Sequence, residues 1–181
     1  HEEHEKIDSL EKMAAQDLLT NLYNHVNARK QIEQRIQAGD GKKFGMILFD
    51  IDYFKNANDQ YGHLFGDCVL KYIAGKLMKN IRKEDIAARV GGDEFMVFTE
   101  YTGNFEPQAS RIFRTLTDYY ENFRISVSMG VATYPENGKD YEQLFHCADQ
   151  ALYASKRGGR NQFKFYDDSM RGMLSVLSPI D

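Results

Sequence analysis

The run Gly-Gly-Asp-Glu at residues 91–94 holds the residues of this chain best suited to chemistry. It separates two short apolar segments, 86–90 and 95–98, so we predict a tight β-hairpin in which both glycines adopt positive φ. Asp93 and Glu94 would lie beside its tip, where the glycines leave room for a ligand. Two adjacent carboxylates suit a hard cation such as Mg²⁺, which takes oxygen ligands. The alternative is a solvated acidic hairpin.

A further acidic group ends the nearly unbroken apolar segment 43–50, which is typical of a strand buried on both faces. Ligands commonly bind where such strands end, and here the chain continues as Asp50-Ile51-Asp52. If this strand neighbours the hairpin, Asp50, the Ile51 carbonyl and Asp93 converge on one point. Such a cluster can hold one or two Mg²⁺ ions and a triphosphate.

Three basic residues could bind the phosphates of such a ligand. Lys156 and Arg160 are four residues apart and therefore share one face near the end of a predicted helix. Lys55 follows the strand that carries Asp50. The alternative for Lys156 and Arg160 is a solvated basic face.

The composition is that of an ordinary globular protein. Of the 181 residues, 42% are hydrophobic and 28% charged, which suits one domain plus an appendage. The net charge of -4 argues against a surface for polyanions, so we expect no nucleic-acid partner.

Other features of the chain bear on its location. It shows no signal peptide and no apolar run of membrane-spanning length, so we expect no membrane contact by this domain. Cys68 and Cys147 lack metal-like spacing, and as buried, unpaired thiols they fit a reducing, cytoplasmic compartment. Because the chain begins at His1 rather than Met, we expect an upstream region such as a sensor domain or membrane anchor.

Hydrophobic periodicity predicts the order α-β-α-β-β-α-β-α-β. Within it, we predict a helix over 106–123 and a half-covered strand over 125–131. The order mixes a hairpin with crossover helices. It therefore predicts an α+β sandwich with helices on one mainly antiparallel sheet, rather than a doubly wound parallel sheet.

Six motifs in this order make the chain resemble the diguanylate cyclases, the family named for its Gly-Gly-Asp-Glu-Phe turn. The resemblance covers roughly residues 17–165. The motifs are Asp17-Leu18-Leu19-Thr20 with Leu22 and Asn24; Phe49 to Lys55; Asn58-Asp59 with Gly62-His63 and Gly66-Asp67; Arg89 to Phe95; Ser128 to Val131; and Ala148 to Tyr153 through Lys156 to Gly159-Arg160-Asn161.

The resemblance implies a palm-like fold, as in ferredoxin-like proteins and nucleotidyl cyclases. A central, mainly antiparallel five-stranded sheet would be flanked by helices and joined by the hairpin that carries the turn. Residues 1–16 would form a signalling helix or linker, residues 17–166 the diguanylate cyclase domain, and residues 167–181 a tail.

The reaction that the resemblance implies condenses two GTP into cyclic di-GMP and two pyrophosphates across a homodimer. Asp50, the Ile51 carbonyl, Asp93 and Glu94 resemble the ligands of Mg²⁺, for which Mn²⁺ could substitute. Asp93 or Glu94 would assist removal of the 3′-hydroxyl proton. Which acid does so, or whether water does, stays open.

Other positions of the chain match the family's contacts to the base, ribose and phosphates of the nucleotide. Asn58 and Asp67 resemble the guanine-reading residues, and His63 a contact to ribose or base. An acid that accepts from guanine N1–H and N2–H₂ would leave those groups unpaired against adenine, which discriminates strongly. The phosphate contacts implied by the resemblance are Tyr53, Phe54, Lys55, Lys156 and Arg160.

Arg82 and Asp85 match the Arg-x-x-Asp pattern that the family uses as an inhibitory site for its product. The alternative is a surface ion pair at a helix end. The chain departs from many relatives in carrying His25 and Val26 in place of two arginines, and Asp93 in place of glutamate. Asp67, where a branch that makes hybrid dinucleotides has serine, points to cyclic di-GMP as the product.

Two other functions are compatible with the same resemblance. A catalytically silent module would bind GTP or cyclic di-GMP and signal by conformation, but such modules usually lose acids from the turn or basic residues from the last helix. A purely structural dimerisation domain would leave the acidic residues without a role.

Overall fold

The computed structural model of the chain describes residues 2–173. Its elements are α1 (Glu2–Ala15), β1 (Tyr23–Asn24), α2 (His25–Gln37), β2 (Lys43–Ile51), α3 (Phe54–Tyr61), α4 (His63–Lys79), β3 (Ile86–Arg89), β4 (Glu94–Tyr101), α5 (Glu106–Leu116), β5 (Asp118–Tyr120), β6 (Phe123–Ile125), β7 (Val127–Tyr134), α6 (Tyr141–Arg157), β8 (Gln162–Phe165) and a 3₁₀ helix (Asp168–Met170).

Six strands form the central sheet in the order β1-β3-β4-β2-β7-β8. The pairs β3/β4, β4/β2 and β2/β7 are antiparallel, and the edge pairs β1/β3 and β7/β8 are parallel. The predicted mainly antiparallel sheet is confirmed, but it has six strands rather than five. The additional strand, β1, is two residues long, which is too short to show an alternating pattern in the sequence.

Strand β2 lies in the middle of three layers, and its buried side chains confirm the predicted burial on both faces. Because successive side chains of a strand point to opposite faces, Ile47 and Phe49 join the core beneath α4 and α5. Met46 and Leu48 join the second core beneath α2 and α6. The end of β2 is therefore held rigidly from both sides.

Two of the predicted elements differ from the structure. The helix that starts at Glu106 ends at Leu116, because Thr117 is extended (φ -86°, ψ 109°) and the chain enters the small hairpin β5/β6. Residue Ile125 belongs to that hairpin, and β7 is buried on both faces rather than half-covered.

The predicted half-covered strand was wrong because the small residues of β7 face packed neighbours. Ser128 is fully buried and donates its hydroxyl to Asp52 at 2.6 Å. A Cβ at Gly130 would lie 2.1 Å from the backbone nitrogen of Leu152, so glycine is needed for α6 to pack directly on β7. This close approach fixes where the end of α6 lies.

The tail residues that the structure describes pack on α6: Met170 is buried beside Ala151 and Ala154. Residues 174–181 of the predicted tail, and His1, lie outside the described residues. Cys147 is buried as expected, whereas Cys68 is exposed. Of the helices within residues 2–173, none is long and apolar enough to cross a membrane.

Candidate active site

Pairing of β2 with β4 places two buried carboxylates side by side. Asp50 and Glu94 are direct cross-strand partners and are only 6% and 8% exposed. The Ile51 N–H donates to the carbonyl of Asp93 at 3.3 Å, so the predicted acids gather at the same end of the sheet.

The charges around these carboxylates are unbalanced. The Lys156 ammonium at the end of α6 pairs with Asp50, but Asp93 and the buried Asp149 add further negative charge. Burial, opposed by Lys156 and reinforced by Asp93 and Asp149, raises the pKa of Asp50 to about 6. Burial, followed by the repulsion of Asp50 and Asp149, raises the pKa of Glu94 to about 8.

The turn that carries Asp93 has a geometry different from the predicted one. Neither Gly91 nor Gly92 has positive φ, so the expected two-residue turn is wrong. The loop is longer, and the N–H groups of Val90 and Gly91 both donate to the Glu94 carbonyl, at 2.8 and 3.3 Å. A Cβ at Gly92 would meet none of the described atoms within 4 Å, so the tip is open to a ligand.

Arg89 holds this turn in place, a role that the sequence analysis did not assign. Its Nε donates to the carbonyls of Gly91 at 3.1 Å and Gly92 at 3.0 Å. Its Nη1 lies 3.4 Å from both carboxylate oxygens of Asp17, just after α1. A side chain thus connects the beginning of the domain to the acidic turn. Both residues belong to motifs of the family resemblance, and this was the signal in the sequence that could have indicated their role.

Asp52 resembles Asp50 in sequence context but has a different environment. Its carboxylate accepts from the hydroxyls of Ser126 (2.8 Å) and Ser128 (2.6 Å) and from the N–H of Asn161 (3.0 Å). These donors satisfy it and anchor the turn after α6 to the sheet. Asp52 is therefore a structural anchor, whereas Asp50 faces the cleft.

A cleft of about 640 Å³ opens above the acidic residues. It brings together most of the predicted metal and phosphate residues with two that were not predicted, Asn56 and Asp59. Its lining residues are Asp50, Ile51, Tyr53, Phe54, Lys55, Asn56, Asp59, Asp93, Lys156 and Arg160.

The N-terminus of α3 points into this cleft. Tyr53 precedes it in a left-handed conformation (φ 57°, ψ 31°), and within the described residues no side chain caps the helix. The first N–H groups of a helix lack intrahelical acceptors and favour anions. The Arg160 guanidinium lies 5.2 Å from the centre of the Tyr53 ring, which places a further cation at the same end.

The predicted base-contacting residues lie on the two helices that follow. Asn58 is on α3, which lines the cleft, and is half-buried, as is Asp67 on α4. His63 is the first residue of α4 and is exposed. None of these three is among the residues that line the cleft, so they flank it.

The predicted product-site pair lies elsewhere, between α4 and β3. Arg82 Nη2 donates to Asp85 Oδ1 at 3.2 Å and to the Thr99 hydroxyl at 2.8 Å. Asp85 is buried and also accepts from the Arg82 backbone N–H at 2.8 Å, whereas about half of the Arg82 side chain is exposed. An exposed guanidinium fixed on one side keeps donors for an anion on the other.

The donor set of the acidic cluster fits a divalent cation. Among residues 2–173, no three His, Cys, Asp or Glu side chains form a ready metal site. However, Asp50 Oδ1 and Glu94 Oε1 are buried and have no hydrogen-bond partner among the described residues. Unsatisfied carboxylate oxygens beside excess negative charge suit a hard cation, with the Ile51 carbonyl as a further oxygen ligand.

The raised pKa values predict how the stability of the metal-free protein depends on pH. Unfolded Asp and Glu titrate near pH 4, so between about pH 4 and 8 the folded state binds more protons than the unfolded state. The contribution of these two groups to stability should therefore fall as pH rises from about 4 to about 8 and change no further above that. Thermal unfolding followed by circular dichroism from pH 5 to 9 measures this, and Glu94→Gln should flatten the dependence. The exposed Glu3→Gln is the control; equal slopes for all three proteins would contradict the prediction.

Comparisons with known proteins identify the family to which the chain is similar. The family model described as "Diguanylate cyclase, GGDEF domain" matches residues 14–162. The chain is 36% identical over 167 residues to the bifunctional diguanylate cyclase/cyclic di-GMP phosphodiesterase MucR of Pseudomonas aeruginosa, covering 88% of this chain and 24% of MucR. It is also 36% identical over 178 residues to the cyclic di-GMP phosphodiesterase PdeR of Escherichia coli, covering 93% of this chain and 26% of PdeR.

Solved structures give the same result at the level of the fold. The coiled coil and GGDEF domain of DgcB from Caulobacter crescentus, in complex with c-di-GMP, superposes with a TM-score of 0.80 at 28% identity. The match covers 90% of this chain and 91% of that one. The chain spans about a quarter of the length of the curated relatives above. The matched family model extends over most of the chain, including the acidic turn, the cleft and the helix that carries Lys156. This chain belongs to the GGDEF family of diguanylate cyclase domains.

Proposed function

We propose that the chain is an active diguanylate cyclase that condenses two GTP molecules into cyclic di-GMP. Each 3′-hydroxyl oxygen attacks the α-phosphorus of the other nucleotide, so that two phosphodiester bonds form, two pyrophosphates leave and two hydroxyl protons are released. The observation that carries the proposal is the meeting of buried acids and basic side chains around one cleft of nucleotide size.

Different residues of the chain bind different parts of one GTP molecule. Lys55, Lys156 and Arg160, with the N-terminus of α3, bind and orient the triphosphate. Asn58 and Asp67 read the guanine edge. Asp93 and Glu94, whose carboxylates lie at the acidic end, would help to remove the proton from the 3′-hydroxyl. Position in the cleft supports the roles of Lys55, Lys156, Arg160 and Asp93, and family membership supports the roles of the others.

A divalent cation belongs to the proposal because the free carboxylate oxygens fit one. Asp50, the Ile51 carbonyl, Asp93 and Glu94 are the groups that would hold Mg²⁺ or Mn²⁺. Such a cation neutralises phosphate charge and polarises phosphate oxygens. Lys156, which pairs with Asp50, would then be released to contact phosphate.

Two copies of the domain are needed because one cleft accommodates one nucleotide and the reaction joins two. The two half-sites must face each other so that each nucleophile is in line with the opposite phosphorus. We therefore propose a homodimer as the catalytic form. We also propose that the N-terminal helix α1 acts as a regulatory lever that sets how often the two sites meet.

Incubation of the chain with GTP and Mg²⁺, followed by chromatography of the nucleotides, tests the activity. We expect cyclic di-GMP, with a rate per chain that rises with protein concentration because two chains must meet. Asp93→Asn should lower the rate by roughly 100-fold or more, because it removes a carboxylate proposed to hold the cation and to help remove the 3′-hydroxyl proton. The exposed Glu3→Gln should match the unaltered chain. Recovery of unchanged GTP at high protein concentration would support the silent binding module instead.

We propose that cyclic di-GMP also binds at Arg82 and Asp85 and slows the reaction. The Arg82→Ala variant should keep its initial rate, while inhibition by added product weakens about tenfold or more, because a bidentate donor is lost. Asp85 keeps its bond from the backbone N–H of residue 82, so the fold should survive. Replacement of the exposed Arg124 on β6 by Ala is the matched control. Undiminished inhibition of the Arg82 variant would place the product site elsewhere.

A further inference from the structure

A glycine at the start of α4 lies directly against the side chain of Asn58. Gly62, with φ 93°, ends α3 and begins α4, which turns the chain so that Gly66 faces back toward α3. A Cβ built on Gly66 would lie 1.7 Å from Asn58 Oδ1 and 2.8 Å from its Cγ. The Asn58 amide therefore occupies the space that any larger residue at position 66 would fill.

The amide oxygen in this position has no compensating contact. Asn58 Oδ1 is buried and has no hydrogen-bond partner among residues 2–173. Leaving a buried acceptor unpaired is unfavourable, so this placement gains nothing for stability. With its oxygen enclosed against Gly66, the amide has its nitrogen left to donate to an acceptor on a bound base.

We infer that Gly66 is a specificity-determining positioning residue: its missing Cβ leaves room for the amide of Asn58 in the orientation that reads guanine. The inference rests on the proposed function, because it requires guanine to bind beside Asn58 and Asp67. Gly66 itself touches no substrate. It acts through the side chain that it allows to lie against α4.

The predicted consequence of filling the space is a loss of recognition rather than of folding. The two nearest atoms belong to the end of the flexible Asn58 side chain, which can rotate away from an added methyl group, and the Phe54 ring at 3.1 Å needs to shift by only a few tenths of an ångström. Replacing a helical glycine with alanine also favours the helix. Gly75 offers a matched control on α4, since a Cβ there would meet none of the described atoms within 4 Å.

The test measures binding of 3′-deoxy-GTP and 3′-deoxy-ATP, which lack the attacking hydroxyl and so are not turned over. Isothermal titration would compare the unaltered chain with Gly66→Ala, Asn58→Ala, the double variant and Gly75→Ala, each checked for folding by thermal melting. We expect Gly66→Ala to lose about tenfold in its preference for the guanine nucleotide, the effect of one lost hydrogen bond. Asn58→Ala should lose a similar amount, and Gly75→Ala should lose none.

The double variant distinguishes positioning from an independent effect. If Gly66 acts through Asn58, the double variant should show the same preference as Asn58→Ala alone. Additive losses, or an unchanged preference in Gly66→Ala, would overturn the inference while leaving the proposed cyclase activity intact. If the unaltered chain prefers neither nucleotide, guanine recognition at Asn58 and Asp67 fails, and the positioning inference fails with it.

Discussion

Two carboxylates held next to each other in the interior, with too little positive charge around them, are the constraint on which the rest of this structure depends. Asp50 and Glu94 are cross-strand partners, and each has an oxygen without a hydrogen-bond partner among the described residues. Burying such charges opposes folding unless a counter-charge is present. Lys156 supplies part of this counter-charge by pairing with Asp50. A site that lacks positive charge in this way can bind a cation. Acids in a cleft whose pKa values are strongly shifted are typical of functional sites.

The scaffold keeps this unfavourable arrangement from relaxing. Strand β2 is buried on both faces, so Asp50 cannot move away without disrupting two cores. The glycine at position 130 lets α6 pack close enough to bring Lys156 to the site, and Asp52 anchors the turn beyond that helix. Arg89 holds the acidic turn against Asp17. Stability supplied by these elements offsets the repulsion at the site, which is the usual relation between a scaffold and its active site.

Predictions from the sequence were correct where residue type and local pattern indicate the same structure. The unbroken apolar segment before Asp50 predicted its buried strand, and the order of elements predicted the sheet. Prediction failed where tertiary contacts decide the outcome. Ser128 and Gly130 suggested an exposed face, but one bonds Asp52 and the other receives a helix. The two glycines of the acidic turn suggested positive φ, yet Arg89 and the Glu94 carbonyl shape a longer loop. The contacts of Ser128 and Gly130 join residues far apart in the chain and therefore leave no local signal.

We propose that the carboxylates of Asp50 and Asp93 share one divalent cation. Titration of Mn²⁺ into the chain with 3′-deoxy-GTP, followed by electron paramagnetic resonance of the free ion, measures this most directly. Tight Mn²⁺ binding that is weakened about equally by Asp50→Asn and by Asp93→Asn, and unaffected by the exposed Glu3→Gln, is the expected result. Binding that survives loss of either carboxylate would show that the two acids do not share a metal ion.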